Sequence, residues 1–344
     1  GDDNNSTTSS GSAFIFFGGI TGTKRADADA DVILNGQSSV DFFGSSVASA
    51  GDFNGDGIDD VIVGATSDNG NAVDSGRAFI FFGGITGTKR ADADADVILN
   101  GQSDDDCFGC AISSAGDFNG DGKDDVIVGA QNDDGTQGSS NNPGRAFIFF
   151  GGTTGTKRAD TDADVIFNCF NAISSYCNAG KFGYSVASAG DFNGDGKGDV
   201  IVGTLQAFGA YIFFGGVTGT RDVRTQADVS LCQKDSCTYY DNSLESWTVS
   251  SAGDFNGDGK GDVIIGEGNP DDSSSSDSGN AYIFFGGITG SKRADNDADI
   301  TLNGRSGNDY FGSSVASAGD FNGDGVSDVI VGAKLDDNNS LTNS

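Results

Sequence analysis

The stretch AGDFNGDGIDDVIVGA, residues 50–65, joins two apolar runs through nine residues of acids, amide and glycine, and those nine return four more times along the chain. The copies begin at Asp52, Asp117, Asp191, Asp254 and Asp320. Position 1 is always Asp, position 3 always Asn (Asn54, Asn119, Asn193, Asn256, Asn322), and position 5 always Asp (Asp56, Asp121, Asp195, Asp258, Asp324). Position 9 is again Asp: Asp60, Asp125, Asp199, Asp262 and Asp328. Hard oxygen donors at this density suit Ca²⁺. Position 7 varies among Ile58, Lys123, Lys197, Lys260 and Val326, as expected where only its backbone carbonyl reaches a metal. Position 8 varies too and is expected to face solvent. Position 6 is invariably Gly (Gly57, Gly122, Gly196, Gly259, Gly325), which fits a sharp turn at positive φ. One such run reads equally well as an ordinary polar turn. Five in one register read as five calcium loops, distinct from EF-hands because position 12 holds no Glu and no helical pattern flanks them.

Composition narrows the partners. The formal net charge of −32 opposes nucleic acid and anionic membrane surfaces. Glycine is 56 of 344 residues, yet the apolar runs are regular, so the chain reads as turn-rich repeated β structure and not as low-complexity disorder. No apolar stretch is long enough to span a bilayer, so no direct membrane insertion is expected, and no signal peptide is visible. The absence of Met points to a processed or partial chain. Six cysteines fall as close pairs, Cys107/Cys110, Cys169/Cys177 and Cys232/Cys237, which predicts local disulfides and an oxidising compartment, hence a secreted or cell-surface location. A zinc site at Cys107/Cys110 lacks a second CxxC and any His. Asn4, Asn5 and Asn338 head Asn-x-Ser/Thr sequons, the candidate glycosylation sites.

The loops are spaced by 65, 74, 63 and 66 residues, a period suited to a propeller blade. Each period holds four strand-like runs, in the first case residues 43–51, 60–65, 77–84 and 95–101. AFIFF and VIV are nearly continuous apolar runs, so both strand faces should be buried between stacked blades. Asp27, Asp29 and Asp31, like Asp92, Asp94 and Asp96, alternate with Ala at the entry to the fourth strand and read as charges guarding an outer edge.

Phe43-Gly44, followed by the quoted stretch ending at Gly64-Ala65, resembles the FG-GAP repeat of integrin α-subunit β-propellers, and the likeness runs through nearly the whole chain. The Phe-Gly element recurs at Phe108-Gly109, Phe182-Gly183 and Phe311-Gly312; Ser246-Trp247 replaces it once, and Gly-Ala weakens to Gly203-Thr204 and Gly266-Glu267. The resemblance implies a calcium loop between the innermost and second strands. The expected fold is all-β, one propeller domain over residues 1–344 with five four-stranded blades. These are 43–101, 108–168, 182–231 and 246–303, with 311–333 completed by 13–36, so that pairing of N-terminal with C-terminal strands closes the ring. Integrin-type propellers have seven blades, so a window of a longer or seven-bladed array is the alternative. The echo of DDNNS at 2–6 and 336–340 admits either.

Calcium at hairpin turns, about five ions with one per blade, is expected to stabilise folding and not to perform chemistry. With no His, the commonest general base is missing, and every obvious Asp cluster repeats with the fold, so no enzyme activity is expected. The variable loops at 66–76, 131–144, 205–209 and 268–279, with the cysteine-bearing insertions, should share the face opposite the calcium loops and form the binding surface. Tyr176, Tyr239, Tyr240 and Trp247 lie in or near them; Trp247 reads best as a core substitute for Phe. Asp272 to Ser276 matches D-x-S-x-S by spacing alone, and no Arg-Gly-Asp occurs. The leading expectation is an extracellular calcium-dependent adhesion or interaction module with protein or glycan partners. The alternatives are a self-assembling subunit of a filament or coat, in which basic TKR segments pair with acidic DADAD, and a lectin-like propeller.

Overall fold

A computed structural model describes residues 9–70, 72–135, 142–168, 180–205, 209–232, 246–268, 278–305, 307 and 309–336. The calls on Asn4, Asn5, Cys169, Tyr176, Cys177, Cys237, Tyr239, Tyr240, Asp272 to Ser276 and Asn338 lie outside the described residues.

The chain opens with β1 (Ser12–Ile15), α1 (Ala26–Asp29) and β2 (Val32–Asn35). The first complete repeat is β3 (Phe43–Gly51), β4 (Asp60–Ala65), β5 (Arg77–Phe81), β6 (Gly87–Arg90), α2 (Ala91–Asp94) and β7 (Val97–Asn100). The second follows as β8 (Phe108–Gly116), β9 (Asp125–Ala130), β10 (Arg145–Phe149), β11 (Gly155–Arg158), α3 (Ala159–Asp162) and β12 (Val165–Asn168). The third is β13 (Ser185–Gly190), β14 (Asp199–Gly203), β15 (Ala210–Phe213), β16 (Gly219–Asp222), α4 (Val223–Gln226) and β17 (Val229–Cys232). The fourth is β18 (Trp247–Gly253), β19 (Asp262–Glu267), β20 (Asn280–Phe284), β21 (Gly290–Arg293), α5 (Ala294–Asp297) and β22 (Ile300–Asn303). The described chain ends in β23 (Phe311–Gly319) and β24 (Asp328–Ala333).

The four predicted strands of each complete repeat form one antiparallel meander, for example β3-β4-β5-β7. Alternation alone does not place them in sheets; their apolar runs are buried on both faces because the cores lie between consecutive sheets. Ile62, Ile80 and Leu99 of one repeat pack with Phe108, Val126 and Phe147 of the next. Each further junction repeats this arrangement. The Phe-Gly and Gly-Ala elements meet there: a Cβ on Gly64 would collide with the carbonyl oxygen of Gly109, and Gly129 stands in the same way against Gly183. Gly109, at φ 83°, also turns the strand where a side chain would be strained. Trp247 is fully buried at the Phe position, as expected, opposite Glu267.

Two sequence expectations are corrected. The acidic Ala-Asp segments are not edge strand but single-turn helices. The reason is local: Asp29 accepts from the backbone N–H of Arg25 four residues back, and Asp94, Asp162 and Asp297 repeat this, closing a turn instead of extending. Nor does the fourth strand end the sheet. The segment before the short helix of each following repeat, GTKR in β6 and β11, GTRD in β16 and GSKR in β21, lies along it in parallel, β6 on β2, β11 on β7, β16 on β12 and β21 on β17. Three sheets therefore have five strands. The TKR arginines pair with acids of their own repeat, Arg25–Asp27, Arg158–Asp160 and Arg293–Asp295, on the surface.

Among the described residues, N-terminal strands are not paired with C-terminal ones. β1 and β2 share a sheet with β6, whereas β23 and β24 form a two-stranded sheet of their own. Phe321 and Ile330 are 87% and 61% exposed, where their counterparts Phe53 and Ile62 are fully buried beneath the following repeat.

Candidate metal loops and the interstrand acids

Each candidate calcium loop turns its donors inward on the same pattern. Asp52 Oδ1 accepts from the N–H groups of Gly55 and Asp56, and its Oδ2 from Gly57, each at 2.9 Å. Asn54 Oδ1 accepts from Asp56 N–H, and Asp56 Oδ1 from Ile58 N–H. The copies beginning at Asp117, Asp191 and Asp320 reproduce this geometry. Position 6 has φ of 87° to 94° in the five loops, with open space around it, so glycine is required by the backbone and not by crowding.

Position 9 has a second task that the sequence does not show. Asp125 is buried; its Oδ2 accepts from Asn119 N–H, while Oδ1 accepts at 2.8 Å from the N–H of Gly151, in the turn after the third strand. Asp60–Gly83, Asp199–Gly215 and Asp262–Gly286 are equivalent. Burial pushes the Asp125 carboxyl up to about 7 and Asp199 to about 6, against these backbone donors, and it raises Asp60 and Asp262 in the same direction. A carboxylate held there favours a compensating cation.

Position 8 was expected to face solvent; Asp59 does, while in the four later copies the residue is half-buried and its backbone N–H donates to the position-1 carbonyl of the preceding loop. These bonds are Asp124 to Asp52, Gly198 to Asp117, Gly261 to Asp191 and Ser327 to Asp254. The backbone bond is common to these four copies, while the side chains differ: Asp124 also accepts from Asp52 N–H at 2.9 Å, and Gly198 and Gly261 leave no room for a Cβ. Consecutive loops thus form a hydrogen-bonded row on one face.

The donor set of each loop, three carboxylates and an amide oxygen, fits a hard divalent cation. Among the described residues, the trio of acids whose oxygens all approach within 4.8 Å is a different one, Asp106, Asp133 and Asp134, at the opposite ends of the strands. There Asp133 forms a buried ion pair with Arg145, whose guanidinium lies 5.1 Å from the centre of the Phe147 ring. Asp68, Arg77 and Phe79 repeat the arrangement one copy earlier. Burial raises Asp68 to about 6 and, with the nearby Asp133 charge, Asp106 to about 7. Asp41 and Asp106 each accept from a backbone N–H three residues upstream, Ser38 and Ser103. The sequence reading passed over these acids, although their signal was available: Ala65-x-x-Asp68 with Arg77 recurs as Ala130-x-x-Asp133 with Arg145, and an Asp stands two residues before Phe43 and Phe108.

Of the predicted disulfides, Cys107–Cys110 is formed. Cys232 is also disulfide-bonded.

The FG-GAP repeat model matches residues 43–81, 111–149, 182–220, 246–284 and 311–343. That is more than half of the sequence, and the chain belongs to the FG-GAP repeat family. It is 29% identical over 196 residues to integrin alpha-5 of Xenopus laevis, covering 56% of this chain and 17% of that protein. It is 32% identical over 175 residues to human integrin alpha-6, covering 50% and 13%. It is likewise 33% identical over 171 residues to phosphatidylinositol-glycan-specific phospholipase D of Bos taurus, covering 46% and 18%. The chain thus spans less than a fifth of the length of these relatives. Among solved structures, a rhamnogalacturonan lyase of Bacillus licheniformis aligns over 84% of this chain and 55% of its own, at 13% identity and a TM-score of 0.36.

Proposed function

We propose that the chain is an extracellular interaction module of the integrin-α type, braced by calcium in its loops. The observation that carries this reading is the fivefold loop: the same hard-oxygen donors, in one backbone geometry, set in a row along one face. Positions 1, 3, 5 and 9 with the position-7 carbonyl would hold the ion, for example Asp52, Asn54, Asp56, Asp60 and Ile58. Calcium would supply positive charge against three carboxylates that otherwise repel and would tie strand one to strand two at each hairpin. The resulting scaffold is stiff, and it carries the loops between second and third strands on its opposite face, where a protein or glycan partner would dock.

The relatives named integrin support an adhesive role and a surface location. One relative is named as a phospholipase, yet the likeness covers only 18% of that protein, and the loop acids here are already engaged with backbone donors, so we assign the chain no catalytic step.

Native mass spectrometry in calcium tests the central claim. One to five bound ions, lost on chelation and reduced by one in Asp121→Ala, support it. A chain that binds none overturns it.

A further inference from the structure

Cys107 and Cys110 enclose the Phe-Gly element of the second repeat, and their bridge closes a turn that three other copies make without one. Cys110 N–H donates to the Cys107 carbonyl at 3.1 Å. Ser45 donates in the same way to Phe42, Tyr184 to Lys181 and Ser313 to Tyr310, at 3.0 to 3.2 Å. The backbone agrees as well: φ is 58° at Cys107 and 53°, 45° and 55° at its counterparts, with the glycine two residues on at 83° to 88° in all four. The chain therefore holds positions 107 and 110 side by side whether or not the sulfurs are joined.

Little else depends on the bridge. Between Phe108–Ala130 and Ala111–Gly129 the register of β8 on β9 shifts, which leaves Gly109 and Cys110 outside the ladder. The ring closed by the bridge runs only from residue 107 to residue 110, so it removes little freedom from the unfolded chain. Neither sulfur is sealed in. Cys107 and Cys110 are half-buried, whereas Cys232, also disulfide-bonded, is 2% exposed.

The pair stands at the strand ends opposite the metal loops, beside Gln131, whose Nε2 donates to Cys107 Sγ at 3.8 Å. Gln131 thus offers a donor to a sulfur released at Cys107, while Asp104, Asp105 and Asp106 just before it favour the thiol over the thiolate.

We propose that Cys107 and Cys110 are a reversible thiol–disulfide exchange site, opened by an external dithiol while the fold stays intact. A thiolate of the dithiol attacks one sulfur; the Cys107–Cys110 bond breaks as the new S–S bond forms, and the released sulfur takes a proton from water. The dithiol's second sulfur, as its thiolate, then attacks the mixed disulfide, closing its own disulfide and freeing the other cysteine, which is protonated in turn. Two electrons and two protons pass to the chain, and a disulfide reagent reverses the exchange.

The test is native-state reduction of the full chain. Thiols are trapped by alkylation across a dithiothreitol series and located by peptide mass, while circular dichroism follows the fold. Cys107 and Cys110 should be labelled together at a reductant concentration about tenfold below that which labels Cys232, with the dichroism unchanged, and oxidised glutathione should close them again. In Cys110→Ser, which lacks the second sulfur, Cys107 should retain one glutathione per chain after the same oxidised reagent. A bridge that opens only together with Cys232, or only as the dichroism is lost, overturns the proposal. So does a Cys107→Ser/Cys110→Ser chain that fails to fold, since the turn would then depend on the bridge.

Discussion

Replacing Asp262 by Ala isolates the role of position 9 as a brace between strands. In the structure the buried Asp262 carboxylate accepts from Gly286 N–H at 2.9 Å, Asn256 N–H at 3.1 Å and Phe255 N–H at 2.8 Å. Hydrogen bonds to a charged group contribute ~1.5–3 kcal/mol each, and a donor left buried without a partner costs ~1–3 kcal/mol. The sum overshoots, because burial of the carboxylate itself is unfavourable, as the upward push on its titration shows. A net loss of ~3 kcal/mol is expected in chelator, where no ion contributes. Trp247, the single tryptophan, lies fully buried on the strand paired with β19, so its fluorescence during urea unfolding reports this repeat. Asp328→Ala, in the half-exposed last loop without a glycine donor, should cost less than half as much. A loss below ~1 kcal/mol for Asp262→Ala would refute the reasoning, since it would mean that the backbone donors find other partners without cost.

Calcium should raise the urea midpoint, each filled loop adding about 2.7 kcal/mol when the ion stands at a hundred times its dissociation constant, as calcium titrations with and without chelator would show. Asp133→Ala strands the buried Arg145 charge and should cost about 3–5 kcal/mol by urea unfolding, whereas Asp133→Leu with Arg145→Met should recover most of it. Asp106 gives a pH dependence of definite sign. Its carboxyl titrates at about 7 in the fold, mainly through burial and then the Asp133 charge, against an ordinary value of 3.8 when unfolded. The folded state therefore holds the extra proton, so this group's contribution is most favourable below about pH 4 and is lost as pH rises towards 7. Asp106→Asn should flatten that part of the stability profile while keeping an acceptor for the Ser103 N–H, as unfolding midpoints taken from pH 4.5 to 7.5 would show.

The recurring loop and its flanking apolar runs were enough, without any structure, to give the strands of the meander and the tight glycine turn of each loop. Both depend on local chemistry: an Asp-Asn-Asp-Gly turn folds on its own side chains, and VIV or AFIFF is a strand wherever a sheet can cover it. Trp247 could be placed in the core on the same grounds, since an aromatic stands where Phe stands in the other copies. What the sequence alone left out is decided by contacts between repeats. The TKR segment is too short and too polar to announce a strand, and it becomes one because the preceding sheet offers an open edge. Position 8 reads as solvent-facing since its side chain varies, yet its backbone N–H is held by the loop before it. Within one repeat, the Asp125–Gly151 bond joins residues 26 positions apart, which no local period encodes, whereas the Asp133–Arg145 pair was signalled by its recurrence as Asp68–Arg77. The ends show the same division most plainly. Their strands are legible because they copy internal ones, but which strand lies beside each is set by tertiary contact, for an edge carries no local signal of its partner.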